Sequence, residues 1–491
     1  MTALARTPEA LTLRDLVAAD CGLCNGVVPT GMTLDSREVV EGSVFVALPG
    51  REFDGRDYIA DALAQGAAAV LAEARGLGDF RDPRVVPISH LQRRLPDLAQ
   101  RFFGDPSASM ALVAVTGTNG KTSVADFVAQ LLRHQGVAAG SIGTLGARLG
   151  PAAGVARHTT PDVLSLTRQF AQWLGEGVDH VALEASSHAL DQGRLAGINL
   201  HTGIFTNLSR DHLDYHGSEA SYAASKLRLF SDFQLKRVIY NADDPVAQQA
   251  RGASLAPSLG VSLTSAEADV FVQVLQQPQG MKVRLHTPWG TGDIASQLSG
   301  TFNAFNMVAA VLAVTGLGYR FSDVVHSAES LRPVVGRMQR LPQDADIEVI
   351  VDYAHTPDAL RRALVALRPQ TAGNLWVVFG CGGDRDRGKR PQMGAIADEL
   401  ADRVVVTSDN PRSEDPEAII RDIRAGLSRS ADVFAERRAA IEFAIMQAQP
   451  GDVVLIAGKG HEEYQEIDGV RHPFSDVAEA EACLAQRSGR D

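Results

Sequence analysis

The stretch Val113-Ala-Val-Thr-Gly-Thr-Asn-Gly-Lys-Thr122 decides how this chain is read. An apolar strand enters a turn containing Gly117 and Gly120. Lys121-Thr122 then opens a helix with Phe127, Val128, Leu131 and Leu132 on its apolar positions. Backbone N–H groups of such a turn, aimed by a helix N-terminus, cradle phosphate oxygens. Lys121 adds a mobile charge for terminal phosphates, and the Thr122 hydroxyl can face Mg²⁺. ATP is the expected ligand. The common phosphate loop has four residues between its glycines. Here Val115 stands where the first glycine would fall, and Gly117 and Gly120 lie three apart. A tight turn without a ligand is the competing reading of these glycines.

At 491 residues the chain is long enough for two to three domains. Its hydrophobic content of 45% and charged content of 22% are globular values. The net charge of −12 argues against a nucleic-acid partner, because no general basic surface is available for counterion release. Of the four cysteines, Cys21 and Cys24 are spaced like metal ligands, but no second pair completes a zinc site. Reduced or buried thiols are expected. The first ten residues carry no long apolar run, and no later segment reads as a spanning helix. The expectation is a cytoplasmic protein with no membrane partner.

Three regions follow one another. Residues 1–105 mix short strands (43–48 and 68–71) with a helix over 58–66, and the turn-rich 104–109 marks a boundary. Residues 106–335 begin with the phosphate-loop strand. Further strands are expected at 180–183, 203–206 and 237–240, with hairpin-like alternation over 270–286 and a helix of small apolar residues over 303–314. Residues 336–491 alternate again: strands at 347–351, 375–379, 404–407 and 453–457, with helices after Pro357, Gly388, Pro416 and the last strand. The reading is α/β: a small N-terminal α/β domain, a central parallel-sheet domain with the phosphate loop, and a C-terminal doubly wound domain.

Functional residues of open parallel sheets gather at strand carboxyl ends, and the polar clusters fall there. Glu184-Ala-Ser-Ser-His188 follows one strand, where a carboxylate can hold Mg²⁺ opposite Thr122; a capped helix with an ion-paired Glu is the alternative. The segment 206–216 gathers Asp211, His212, Asp214 and His216, either as metal ligands or as a polar surface loop. Lys226 lies on an expected helix and, taken alone, reads as a solvated lysine. In the last region, Asp352-Tyr-Ala-His-Thr-Pro357 suits ribose or phosphate contact. The charged turn 381–390 suits a carboxylate. Asp409-Asn-Pro-Arg412 and Ala457-Gly-Lys-Gly-His-Glu462 complete a set of four loops at equivalent strand ends. Solubility alone explains one such loop more readily than four.

Together with Gly300-Thr-Phe-Asn-Ala-Phe-Asn306 and Gly336-Arg-Met-Gln339, these motifs resemble the Mur ligase family, ATP-dependent amino-acid ligases of cell-wall precursor synthesis. The resemblance covers nearly the whole chain. Thr33-Leu-Asp-Ser-Arg37 and Gly50-Arg-Glu-Phe-Asp-Gly55 point within it to members that add the third peptide residue to UDP-N-acetylmuramoyl-L-alanyl-D-glutamate.

The resemblance implies ATP contacts at Gly117, Thr118, Asn119, Gly120, Lys121, Thr122, Ser123, Asn303, Arg337 and Asp352. It implies contacts with the UDP-substrate at Leu34, Ser36, Arg51, Glu52, Phe53, Thr159, Thr160, Ser186, Gln192 and Arg194, with His158 standing where some relatives carry Asn. Thr122, Glu184, His212 and Lys226 are implied as metal holders, Lys226 as a CO₂-derived carbamate, and Lys121, Lys226, Glu184 and His212 as the catalytic set. Asp409, Asn410, Pro411 and Arg412 resemble the motif of members that take meso-diaminopimelate. Arg385, Gly458 and Glu462 join that pocket by resemblance. Diaminopimelate differs from lysine by a far carboxylate, which Arg412 can clamp in a fork; lysine would leave the guanidinium unpaired. A carbamate forms on a neutral amine, so the Lys226 site must favour deprotonation.

The implied reaction passes through an acyl phosphate. The enzyme is expected to be monomeric and to close two ATP-binding halves before chemistry. A folylpolyglutamate-synthase-like ligase and a non-enzymatic nucleotide switch are the alternatives. The long N-terminal region and the 409–412 motif weigh against the first, and the charged acceptor-like loops against the second.

Overall fold

A computed structural model describes residues 11–50, 53–150, 158–277, 280–341 and 346–489. Two compact units divide the chain: one takes residues 1–111, 160–179 and 192–199, the other takes 112–159, 180–191 and 200–491. The first therefore recruits segments well beyond residue 105.

In the first unit, Met32–Thr33, Val44–Ala47, Ala69–Glu73 and Val85–Ile88 form a parallel four-stranded sheet in that order. The helix Leu91–Phe103 packs against Val163–Gly175. The expected helix over 58–66 is shorter, Ile59–Ala64, and is entered through a 3-10 turn Gly55–Tyr58. The Asp54 carboxylate accepts the Arg56 N–H and both carboxylate oxygens hold its guanidinium, which tightens that first turn. Cys21 and Cys24 are buried free thiols, and burial pushes both upward in pKa.

The second unit carries two sheets. The larger has ten strands, ordered Gly290–Ser296, Gly280–Thr287, Val270–Gln277, Ser258–Ser262, Arg237–Asn241, Thr202–Phe205, Ala111–Thr116, His180–Glu184, Ala139–Gly143 and Gly146–Arg148. Its centre is parallel and its edges are antiparallel. The alternation over 270–286 is a hairpin extended by a third strand, with Val274 opposite Val283 and Val283 opposite Ile294. The helix Thr301–Gly316 is buried from Asn303 to Thr315, so its apolar residues need no polar face; it packs on the phosphate-loop helix Lys121–His134.

The smaller sheet runs Gln339–Arg340, Glu348–Asp352, Val453–Ala457, Leu375–Phe379, Arg403–Thr407 and Asp432–Phe434, parallel except at its first strand. Near-continuous apolar strands are buried on both faces, one against Leu360, Leu364 and Met393, the other against Ile441, Ile445 and Leu484. Pro357 and Pro416 open helices capped by Thr356 and Asp415. Parallel pairing puts the four loops after Asp352, Phe379, Thr407 and Ala457 on one edge.

Candidate active site

The strand Ala111–Thr116 ends at Gly117 with φ of 142°, and Gly120 has φ of 90°. A Cβ on Gly117 would lie 1.9 Å from the Thr206 hydroxyl, and one on Gly120 2.6 Å from Asn306 Oδ1. Both conformation and space therefore demand glycine. Asn207 splints the turn: its Oδ1 accepts the Asn119 N–H at 3.0 Å and its Nδ2 donates to the Asn119 carbonyl at 3.0 Å. The first-turn N–H groups of Lys121–His134 have no partner inside the helix and point out of its end.

Two lysines converge on this turn. Lys121 Nζ donates to the Gly117 and Thr118 carbonyls, each at 2.8 Å, and Lys226 Nζ donates to the Gly117 carbonyl at 2.7 Å. Lys226 comes from the helix Glu219–Ser231, is 1% exposed, and lies 4.4 Å from the Tyr222 ring centre. Burial pushes its amine well below the ordinary lysine range; the Lys121 charge adds to this and Asp211 opposes it. Burial also lowers Lys121, against the pull of Glu184 and Asp211.

Glu184, at its strand's end, is buried, with Oε1 accepting the Thr144 N–H at 2.8 Å and Oε2 the Thr144 hydroxyl at 3.2 Å. The Thr144 and Thr159 hydroxyls lie 3.3 Å apart. His212 sits at φ of 53°, its Nε2 3.3 Å from Asp211 Oδ2, and His355 Nε2 stands 4.0 Å from the same oxygen. Burial would raise the Asp211 carboxyl, but His212, His355 and Lys389 hold it well below the usual range. Burial, aided by His188, Lys226 and Lys121, lowers His212. Among the described residues no group of three or more His, Cys, Asp and Glu could hold a metal. A metal here must draw on other donors, such as the Thr122 hydroxyl.

A cleft opens beside the turn. Asn119, Gly120, Ser123, Asn303, Arg337, Asp352 and Tyr353 are among its lining residues. Arg337 donates to the Thr122 hydroxyl at 3.0 Å and stacks 4.4 Å from the Tyr353 ring centre. Asn303 donates to the Ser299 carbonyl at 2.8 Å, and Asp352 accepts the Met338 N–H at 2.7 Å. Burial pushes the Asp352 carboxyl up, against Arg337 and nearby N–H groups. Asn119–Asp358 (3.0 Å) and Arg210–Asp386 (2.8 Å) also tie the larger sheet's loops to the smaller sheet's.

At the smaller sheet's edge, Arg412 has φ of 52° and donates to the Gly383 carbonyl at 2.7 Å, with Glu466 Oε2 3.8 Å from its Nε. Asn410 donates to Glu462 Oε2 at 2.8 Å, and Lys459 donates to that oxygen at 3.1 Å and to Asn410 Oδ1 at 3.0 Å. Gly458, at φ of 124°, brings the backbone so close that a Cβ would lie 2.5 Å from Asp409 Oδ2. Behind these loops Arg437, fully buried and paired with Asp476 (2.7 Å), donates to the Ser408 and Ala457 carbonyls, pinning both strand ends. Arg385 lies in the same loop cluster, donating to the Asp384 carbonyl at 2.8 Å.

Of the residues expected to meet the UDP-substrate, Thr160, Gln192 and Arg194 come together in the first unit: Arg194 donates to the Thr160 carbonyl at 2.8 Å and to Gln192 Oε1 at 2.9 Å. In that unit Leu34 follows the strand Met32–Thr33, Ser36 starts a 3-10 turn, and Phe53 is 70% exposed. In the second unit Thr159 joins Thr144, and Ser186 accepts the Ala189 N–H at 3.2 Å. Arg51 and Glu52 lie outside the described residues. Tyr353, Asn207 and Lys459 were not singled out from sequence. Lys459 alone carried a signal, a lysine held between two glycines at a strand end.

Three family models match the chain: "Mur ligase family, catalytic domain" over residues 29–103, "Mur ligase middle domain" over 115–314, and "Mur ligase, glutamate ligase domain" over 336–460. A UDP-N-acetylmuramoyl-L-alanyl-D-glutamate–2,6-diaminopimelate ligase from Pseudomonas aeruginosa is 49% identical over 460 residues, covering 92% of this chain and 94% of that protein. A solved structure of a ligase of the same description aligns with TM-score 0.70 and 37% identity, over 98% of this chain and all of the other. The MurF ligase of Thermotoga maritima in complex with ADP shares the fold, with TM-score 0.68 and 19% identity over 94% of this chain and 98% of that one.

Proposed function

The chain belongs to the Mur ligase family, and we propose that it joins meso-2,6-diaminopimelate to UDP-N-acetylmuramoyl-L-alanyl-D-glutamate, with hydrolysis of ATP to ADP and phosphate, in peptidoglycan precursor synthesis. The observation that carries this reading is the loop Asp409–Arg412, which sets a guanidinium beside the Asn410–Glu462 network on the sheet edge that also supplies Asp352 to the nucleotide cavity. A carboxylate-plus-ammonium acceptor suits that pair of charges. The 49% identical relative supports the same reading over a folylpolyglutamate-synthase-like ligase.

A carboxylate is a poor electrophile, so the D-glutamyl γ-carboxylate first attacks the γ-phosphorus of ATP, releasing ADP and leaving an acyl phosphate. The acceptor amine then attacks the acyl carbon, loses a proton, and phosphate departs. Catalysis is positioning and charge neutralisation. The Gly117–Gly120 turn and the helix end receive phosphates, with Ser123 beside them. Lys121 exchanges its loop carbonyls for phosphate oxygens. Asn303, Arg337 and Asp352 hold the nucleotide, Arg337 spanning from Thr122 to Tyr353.

Mg²⁺ fits the oxygen donors Thr122 and Glu184, with His212 nearby; when bound, it screens charge on the phosphates. An ammonium at Lys226 would repel it, whereas the lowered amine suits carbamylation, giving an anionic arm in place of a cation. Thr160, Gln192 and Arg194, with Thr159 and Ser186, are proposed substrate contacts. The division 1–105, 106–335 and 336–491 and a closure step belong to the same reading, as does a cytoplasmic monomer. No helix among the described residues is long and apolar enough to cross a membrane.

Phosphate release with ATP, Mg²⁺ and the UDP-muramoyl dipeptide tests the proposal. Release with meso-diaminopimelate and little with L-lysine is expected. Release with lysine alone would overturn the acceptor assignment, and release with neither would overturn the function.

A further inference from the structure

Glu462, the carboxylate placed to meet an acceptor ammonium, already has a partner. Lys459 is 0% exposed and donates to Glu462 Oε2 and Asn410 Oδ1, with the Tyr464 ring centre 5.5 Å from its nitrogen. The Asn410 side-chain Nδ2 donates to the same Oε2 and its Oδ1 accepts the Glu466 N–H at 2.9 Å, so its amide is committed at both ends. The other carboxylate oxygen, Oε1, receives only a long 3.5 Å bond from Tyr353 among the described residues. Two further carboxylates, Asp409 and Glu466, stand close by. Arg437 is paired with Asp476 and also acts on Asp409; Lys459 and Arg412 are the other cations facing these carboxylates.

We propose that Lys459 is a specificity-determining residue: by tying one oxygen of Glu462 and offsetting the pocket's negative charge, it makes the site select an acceptor end carrying both an ammonium and a carboxylate over one carrying an ammonium alone. The inference rests on the function proposed above and deepens it. The far end of diaminopimelate is zwitterionic: its ammonium meets Oε1 and its carboxylate meets Arg412. The far end of lysine is a bare cation. With Lys459 in place, that cation approaches one buried ammonium and one guanidinium with no carboxylate to set against either. Without Lys459 the pocket gains net negative charge and a second open carboxylate oxygen, both of which favour the cation and neither of which helps the zwitterion. The low pKa of Asp409 is consistent with this: burial opposes it, and Lys459 and Arg437 keep the carboxyl ionised.

The test uses the full-length chain with Lys459→Met and Lys459→Gln, comparing kcat/KM for meso-diaminopimelate and L-lysine at saturating ATP, with ADP affinity measured by calorimetry. Both variants should lose about tenfold or more of the preference for diaminopimelate, a change within the range of like-charge effects at buried sites. Lys459→Met combined with Glu462→Gln should recover most of that preference. Equal loss with both acceptors, or loss of ADP binding in both variants, would assign Lys459 to folding and overturn the inference. A wild-type enzyme that turns over an acceptor but shows no change in preference in the variants would overturn it while leaving the proposed function intact. A wild-type enzyme that uses neither acceptor would overturn both.

Discussion

Lys226 and Lys459 are buried to the same degree, 1% and 0% exposed, yet their surroundings set them opposite tasks. Lys226 meets a backbone carbonyl, and the other lysine at the phosphate loop is a like charge that helps push its amine toward neutrality. Lys459 meets a carboxylate and an amide oxygen. Burial alone therefore does not say what a lysine is for; the sign of its neighbours does. A neutral amine can react with CO₂, and a paired ammonium cannot. The proposed phosphate site is built from glycine backbone and cations, with Glu184 and Asp211 acting on Lys121. The proposed acceptor pocket is built from opposed charges already joined.

The largest effect expected from this contrast is at Lys226. Lys226→Met should lower kcat about 10³-fold, the scale of losing one preorganised electrostatic element at a phosphoryl-transfer site. In protein equilibrated with ¹³C-bicarbonate, a carbamate signal should be present in wild type and in Lys459→Met and missing from Lys226→Met. A signal that survives Lys226→Met would break the comparison, because a different amine would then be the neutral one.

Arg412 tests the other side. Arg412→Ala should reduce kcat/KM for diaminopimelate by about 10²-fold, consistent with about 1.5–3 kcal/mol for hydrogen bonds to a charged group. Arg412→Lys should not restore the fork. Turnover with lysine should change much less, and ADP binding should persist. Equal losses with both acceptors would mean that the guanidinium supports the loop, through Gly383 and Glu466, and does not read the substrate.

What could be read from the sequence follows the same divide. The strand-to-helix glycines, the apolar strands buried on both faces and the four loops at one sheet edge follow local rules of spacing and hydropathy, so the α/β architecture and the phosphate turn were legible. The extent of the first unit was not: Val163–Gly175 joins the N-terminal segment because its apolar face packs on Leu91–Phe103, a long-range choice with no local signature. Lys226 illustrates the limit at the site. A lysine on a helix of mixed character looks solvated until the fold brings the Gly117 carbonyl against it, and only the resemblance singled it out. Lys459 was overlooked because its partners, Asn410 and Glu462, sit on two loops whose strands are not neighbours, Leu375–Phe379 lying between them. Tyr353 was missed because aromatic residues after strands are common and its ring neighbours Arg337 and His461 are set by tertiary packing.

The smallest effect concerns His461, a base whose ring lies among cations. Its Nδ1 is buried without a hydrogen-bond partner among the described residues, and burial pushes the imidazole down to about 3, with Arg337, Arg148, Lys459 and His355 adding to the shift. An unfolded chain protonates this ring near the ordinary histidine value of about 6.5. Between those two values the unfolded state holds a proton that the native state lacks, so native stability rises with pH across the window and falls as the solution is acidified from about 7 toward 4. Paired carboxylates such as Asp386 and Asp54 act in the same direction but at lower pH. The His461 share is isolated by His461→Gln: its melting temperature should fall less than wild type between pH 7 and pH 5. Equal slopes for the two proteins would mean that the ring is protonated in the native state and that a buried base here can keep its charge beside Arg337. That would remove the loop after Ala457 from the pattern seen at Lys226.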